Sequence, residues 1–200
     1  MAQARILTDK EYRKVLLHIA KKKHSSRNKC MLYMSHLAGL RACEIASLTI
    51  KDVLAEDGTI KDEFFLRSHQ TKGERGRTVL VPKKLQEELY DYLCTRFRLK
   101  ELKVVNMTDT SKALFYSQKN SQRGFSANTI AQWFGTTYRA CAIDGASSHS
   151  GRRHFATFLN ESSVSPKVIQ NLLGHRQLQT TMLYCEVSPK SMRDAVELFS

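Results

Sequence analysis

Leu172-Leu173-Gly174-His175-Arg176-Gln177-Leu178-Gln179-Thr180-Thr181-Met182-Leu183-Tyr184 is the stretch on which the reading of this chain turns. Gly174 reads as the stop of a helix that Ser165-Pro166 opens, with a serine N-cap followed by an N1 proline. Beyond the glycine come a histidine and, nine residues later, a tyrosine. A tyrosine by itself reads as a packing residue. Upstream, however, lie His149-Ser150-Gly151-Arg152 and Gly39-Leu40-Arg41-Ala42-Cys43-Glu44. Two arginines, two histidines and a tyrosine form a set suited to attack on a phosphodiester. Guanidinium groups hold the non-bridging oxygens, a phenol attacks phosphorus, and imidazoles move or share protons.

Outward from that stretch the pattern is mainly helical. Thr8-Asp9-Lys10-Glu11 is a capping box, followed by Tyr12, Val15, Leu16 and Ile19 at helical spacing. A second helix runs from about Ser26 to Leu37 and stops at Gly39, and a short one carries Glu44, Ile45 and Leu48. Residues 63–69 and 77–81 read as two strands joined by the polar loop Thr71–Gly76, a hairpin that Pro82 ends. Leu85, Leu89, Tyr92, Leu93 and Phe97 mark a long helix. Residues 101–112 read as a loop, Ala113–Tyr116 as a short strand, and Ser117–Gly124 as a turn. Ser126 caps a helix with Ile130, Trp133, Phe134 and Cys141, and another holds His149 to Leu159. Pro189 opens a final short helix with Met192, Val196 and Phe199 on one face. The fold class expected is mainly α with a small antiparallel β-sheet (α+β).

The chain has 200 residues, 42% of them hydrophobic, and three prolines, enough for one domain with a sizeable core. Thirty-two Lys and Arg against 19 Asp and Glu give a formal net charge of +13. A folded domain so charged attracts polyanions, nucleic acid first among them. The cysteines, Cys30, Cys43, Cys94, Cys141 and Cys185, are odd in number and show no CxxC spacing, which argues against a disulfide framework or a zinc site. No signal peptide or long apolar run occurs, so an intracellular, soluble protein with no membrane partner is expected. The sequence holds neither a P-loop nor GxGxxG, and no cofactor or metal is implied.

Each candidate has an ordinary reading of its own. Arg41 and Arg152 singly are helix-surface arginines. Arg41, however, follows a Gly-Leu turn and precedes Glu44, and Arg152 lies three residues after His149, on the same helical face. Tyr184 as nucleophile needs activation, since a phenol titrates near 10. Arginines around the phosphate and a nearby histidine supply it electrostatically. Lys72, at the hairpin tip, suits protonation of a leaving 5′-hydroxyl; without the other motifs it is a solvated turn lysine. His154 has a weak case and reads as helix packing. His18, His24, His36 and His69 read as structural or solvent-facing.

In this order the motifs resemble the catalytic domain of the tyrosine recombinase (phage integrase) family. The first box is His36–Ile45, the hairpin Thr71-Lys72-Gly73 through Arg77–Pro82, the second box His149–Thr157, and the third Leu172–His175 with Tyr184 at the family's spacing. The resemblance runs from about Leu7 onward. It implies that Tyr184 attacks the scissile phosphate to leave a 3′-phosphotyrosyl link. Arg41 and Arg152 would hold the phosphate, Lys72 protonate the leaving oxygen, and His149 and His175 hydrogen-bond and relay protons. Glu44 would support the arginine and histidine from behind. The implied partners are double-stranded DNA, a homo-oligomer (a tetramer on two DNA sites) and accessory DNA-bending proteins, in the cytoplasm with the nucleoid.

Departures from the family pattern are visible. Gly151 stands where a bulky apolar residue is usual, which predicts a looser helix start, and Arg153 stands where His is frequent. Residues 1–200 read as a single catalytic-type domain with no N-terminal core-binding domain, similar to short fimbrial-switch invertases or to a fragment of an integrase. Residues 187–200 resemble the family's C-terminal helix, which docks on an adjacent subunit; packing on its own domain is the alternative. The function the resemblance implies is site-specific DNA recombination by inversion, integration or excision. A DNA-binding regulator without catalysis, or a type IB topoisomerase-like activity, are the competing readings.

Overall fold

Thr8 begins the first helix through a reciprocal cap. Its hydroxyl oxygen accepts the Glu11 N–H (3.3 Å) and the Glu11 carboxylate accepts the Thr8 N–H (3.0 Å), which fixes α1 (Asp9–Ala20). The computed structural model describes residues 4–71, 75–102, 110–117, 124–184, 192–193 and 196–197. α2 (Ser25–Ala38) is the centre of the core. Cys30, Met31, Leu32, Tyr33 and Met34 are all buried, so apolar contact surrounds this helix instead of following one stripe. Around it stand α1, α5 (Lys83–Phe97) and α7 (Ser150–Glu161), while α3 (Ala42–Ser47) packs on α6 (Ala127–Ala140).

The contact of α2 with α7 corrects one sequence expectation. Gly151 does not loosen the start of α7. It is buried, and a Cβ there would collide with the Ser35 hydroxyl and come within 2.6 Å of His36 Cδ2. The absent side chain lets the two helices approach closely, which places Arg152 against the end of α2. His154 packs where the sequence placed it, with its ring 5.2 Å from His36 and 6.0 Å from Tyr12.

Among the described residues the sheet has two strands. β1 (Glu63–Leu66) pairs antiparallel with β2 (Arg77–Leu80), Glu63 opposite Leu80 and Leu66 opposite Arg77. Phe64, Leu66, Arg77 and Val79 face inward and Phe65 and Leu80 outward, the alternation a half-buried strand requires. The first strand is shorter than expected. After Leu66 the chain enters a 3₁₀ turn (Ser68–Gln70), where the Gln70 side chain accepts the Arg67 N–H (2.9 Å) and donates to the Ser47 carbonyl (3.2 Å). The expected strand at Ala113–Tyr116 is absent as a ladder. Single bridges join Thr49 to Ala113 and Tyr116 to Gly124, because the segment pairs with backbone next to α4 (Ile50–Val53) at one end and with the residues before α6 at the other, not with a strand.

α8 (Pro166–Leu173) opens as anticipated, with the Ser165 hydroxyl accepting the Val168 N–H, and closes at Gly174 with φ +64°. α9 (Leu178–Met182) follows, a short helix that the sequence did not announce. Beside the main core, Ala156, Ile169 and Leu173 form a second, smaller one between α7 and α8, against which Tyr184 packs. Of the expected final helix, Met192 and Val196 are described and exposed; Pro189 and Phe199 lie outside the described residues, as does Lys72. Among the described residues no helix is long and apolar enough to cross a membrane.

Candidate active site

Glu44 is the point on which the separated motifs converge. It is the third residue of α3, and its side chain is 0% exposed. The Arg41 N–H donates to its Oε2 (2.8 Å) and Arg41 Nη1 to its Oε1 (2.9 Å), so the acid turns the arginine that precedes the helix. Arg77, from β2, donates to Oε2 at 2.9 Å, and Arg152 Nη1, from α7, lies 4.0 Å from the same oxygen. Burial by itself would push the Glu44 carboxyl up. Arg77 first, then Arg152 and the Arg41 N–H, outweigh it and hold the group ionised below the usual carboxylate range.

Arg152 is 3% exposed, behind the cleft wall. Its Nη1 donates to the Gly39 carbonyl (2.5 Å) and its Nη2 to the Leu173 carbonyl (2.6 Å). These carbonyls are the last turns of α2 and α8, where backbone acceptors lack helical partners. Each terminal nitrogen carries two N–H, so both retain a donor beyond these bonds. Burial, with the Arg41 charge next, lowers the Arg152 pKa to about 9, which leaves it protonated at neutral pH.

His175 follows Gly174. Its Nδ1 shares a hydrogen bond with the Thr181 hydroxyl (2.9 Å), and the buried Gln170 side chain donates to its carbonyl (3.1 Å). Burial and then Arg152, Arg41 and Arg77 push its pKa down to about 4, so the ring is a neutral hydrogen-bonding group at neutral pH. The ring of Tyr184 stacks on it, with centroids 5.8 Å apart and planes at 30°. His149 is the exposed N-cap of α7, with its backbone N–H donating to the Ser147 hydroxyl (3.2 Å). Arg41, Glu44, Arg152, His175 and Tyr184 are therefore brought together.

Two members of the cluster were missed in the sequence. Arg77 is 8% exposed, donates to Glu44 and to the Leu172 carbonyl (2.7 Å), and lies under Gly174, where a Cβ would sit 2.5 Å from its Cδ. It joins the hairpin to α3 and α8. Its signal was present: an arginine at an inward position of a half-buried strand needs an anionic partner. Thr181, 0% exposed, had no such signal, because its role depends on a helix too short to read from periodicity. The cleft before these residues encloses about 650 Å³, and its cationic lining includes Arg41, Arg75, Arg77, Lys167 and Arg176.

The described residues form a mainly helical domain with an antiparallel strand pair, and it gathers arginines from three elements beside a histidine–tyrosine pair. The chain belongs to the phage integrase family, whose family model matches residues 5–191. It is 31% identical over 192 residues to tyrosine recombinase XerA of Pyrococcus furiosus, covering 96% of this chain and 60% of that protein. It is 29% identical over 179 residues to tyrosine recombinase XerD of Haemophilus influenzae, covering 86% and 54%. The chain thus spans little more than half the length of these relatives. In fold it is similar to the crystal structure of XerA recombinase, with a TM-score of 0.74 at 20% identity over 100% of this chain and 66% of that one. It is also similar to XerH site-specific recombinase bound to a palindromic difH substrate in a post-cleavage complex, with a TM-score of 0.70 at 22% identity over 97% and 52%.

Proposed function

We propose that this chain is the catalytic domain of a site-specific DNA recombinase that breaks and rejoins strands through a 3′-phosphotyrosyl intermediate. Support comes above all from the convergence of Arg41, Arg77 and Arg152 on one buried carboxylate, with Tyr184 stacked on His175 at its edge. In this reading Arg41 and Arg152 neutralise the scissile phosphate. The Tyr184 oxygen attacks phosphorus, the bond to the 5′-oxygen breaks, and Lys72 gives that oxygen its proton. His149 and His175 hydrogen-bond the phosphate and relay the phenol's proton. The phosphotyrosyl bond keeps the energy of the broken one, so a partner strand's 5′-hydroxyl reseals it without ATP.

Double-stranded DNA is the substrate, favoured by the +13 charge and by the DNA-bound state of the similar XerH recombinase. The working form is a homotetramer on two sites, in which residues 187–200 dock on a neighbour; the exposure of Met192 (54%) and Val196 (70%) fits such a face. The test is Tyr184→Phe on a nicked duplex that traps cleavage. DNA binding should persist and covalent protein–DNA adducts should vanish; adducts that survive remove Tyr184 from the chemistry. Tight binding with no cleavage by the wild-type protein would favour a regulator, and relaxation of supercoils without sequence preference a topoisomerase.

A further inference from the structure

Arg152 and Arg153 are neighbours on α7, and adjacent side chains on a helix diverge by about 100°. Arg152 goes inward to Gly39, Leu173 and Glu44. Arg153 leaves in another direction. Its guanidinium stands over the ring of Tyr184, 5.7 Å from the centroid, and its Nη1 donates to the Ala4 carbonyl (2.6 Å). Its Nε is buried without a hydrogen-bond partner. The side chain is thus held by a backbone carbonyl and faces an aromatic ring.

The brace at Ala4 is itself fixed. The next residue, Arg5, donates its N–H to the Gly145 carbonyl (2.9 Å) and pairs with Glu11 on α1 at 2.6 Å. Tyr184 in turn touches His175 by stacking and the α7–α8 apolar cluster by packing. That cluster is small, and its apolar contacts are non-directional. They do not set the angle at which the phenol faces a phosphate. A cation above the ring adds a directional contact.

From this geometry we propose that Arg153 is a positioning residue for the tyrosine nucleophile. Braced on Ala4, it holds the Tyr184 ring beside His175 in the orientation for attack. The proposal rests on the recombinase reading and adds to it a residue that acts through the tyrosine, not on the phosphate. The Arg152–Arg153 pair then divides the work: one guanidinium for the phosphate site, its neighbour for the attacking group.

The test compares Arg153→Gln and Arg153→Lys with wild type in the whole chain, by three measurements. These are DNA affinity, the single-turnover rate of covalent adduct formation on a nicked duplex, and the aromatic NMR signal of Tyr184 without DNA, assigned with Tyr184→Phe. In Arg153→Gln the adduct rate should fall about tenfold, the size of a partly desolvated cation–π contact, at unchanged affinity. Arg153→Lys, which keeps the cation, should recover most of that rate, and the Tyr184 signal should shift in the Gln variant only.

An unchanged Tyr184 signal in Arg153→Gln overturns the proposal whatever the protein does to DNA. Equal rates in wild type and Arg153→Gln, or a rate loss matched by an affinity loss, overturn it as well, the latter assigning Arg153 to DNA contact. A signal shift in Arg153→Gln alongside a wild type that forms no adduct on any duplex instead overturns the recombinase reading, leaving Arg153 a brace for a packing tyrosine.

Discussion

Replacing Glu44 by alanine should cost about 3–5 kcal/mol of folding stability, the range for removing one partner from a buried ion pair. The carboxylate is 0% exposed and receives the Arg41 N–H at 2.8 Å, Arg41 Nη1 and Arg77 Nη2 at 2.9 Å each, with Arg152 at 4.0 Å. Without it three guanidinium groups face one another, two of them under a tenth exposed. Like charges about 5 Å apart repel by roughly 3 kcal/mol at an effective dielectric near 20, which places the loss in the same range. A domain has about 5–15 kcal/mol in total, so Glu44→Ala approaches the limit of folding. Glu44→Gln keeps the volume and one acceptor oxygen and should lose less, about 2 kcal/mol, by the usual worth of a charge-assisted hydrogen bond. The assay is urea unfolding with the slope checked for constancy. Arg77→Met added to Glu44→Gln should recover part of the loss, because it removes a cation left unpaired. A loss below about 1 kcal/mol for Glu44→Ala, or strict additivity in the double variant, would refute the hub.

Gly151→Ala should destabilise by about 1–3 kcal/mol, the cost of overpacking, because the added methyl meets Ser35 and His36 in a buried contact between α2 and α7; thermal unfolding reads it, and an unchanged midpoint would show that the helices part freely. Stability should also fall as the medium is acidified from pH 7 to 5. Burial pushes the His36 pKa down to about 3 from 6.5, so the unfolded chain takes the proton first. The contribution is whole above about 6.5 and some 2 kcal/mol smaller at pH 5. His175, lowered to about 4, acts in the same direction, and Glu44 adds its loss only at lower pH. His36→Gln should flatten the slope in urea midpoints between pH 7 and 5, and an unaltered slope would assign it elsewhere.

Helix ends were the most legible part of this chain. Thr8 with Glu11, Ser126, and Ser165 with Pro166 each fix a start through local hydrogen bonds, and Gly39 and Gly174 each fix a stop through positive φ. Such signals need no tertiary context. Of the candidate site residues, Arg41, Glu44, Arg152, His175 and Tyr184 meet in space, but their partners were not legible. Arg152 spends donors on two carbonyls and His175 leans on Thr181, and neither contact leaves a mark in local sequence. Gly151 was misjudged for the same reason: its meaning lies in Ser35 and His36, over a hundred residues away. The segment around Ala113 failed as a strand because its backbone partners are loop residues, which alternation of side chains cannot reveal.

Among the described residues the cluster carries three guanidinium groups against one carboxylate, a surplus of two positive charges in a largely dry setting. Burying unbalanced charge opposes folding, and backbone carbonyls of Gly39, Leu172 and Leu173 offset part of that cost by accepting from Arg152 and Arg77. Those acceptors are neutral, and they leave the surplus in place. A phosphodiester entering the cleft supplies the missing negative charge without any rearrangement of the carbonyls. Under the proposed function such an anion would bind the folded cluster and not the unfolded chain, so folding and DNA binding would draw on the same electrostatic deficit. Glu44 already orients Arg41 and Arg77 through its hydrogen bonds, so under the proposed function the geometry that would receive the phosphate is formed beforehand.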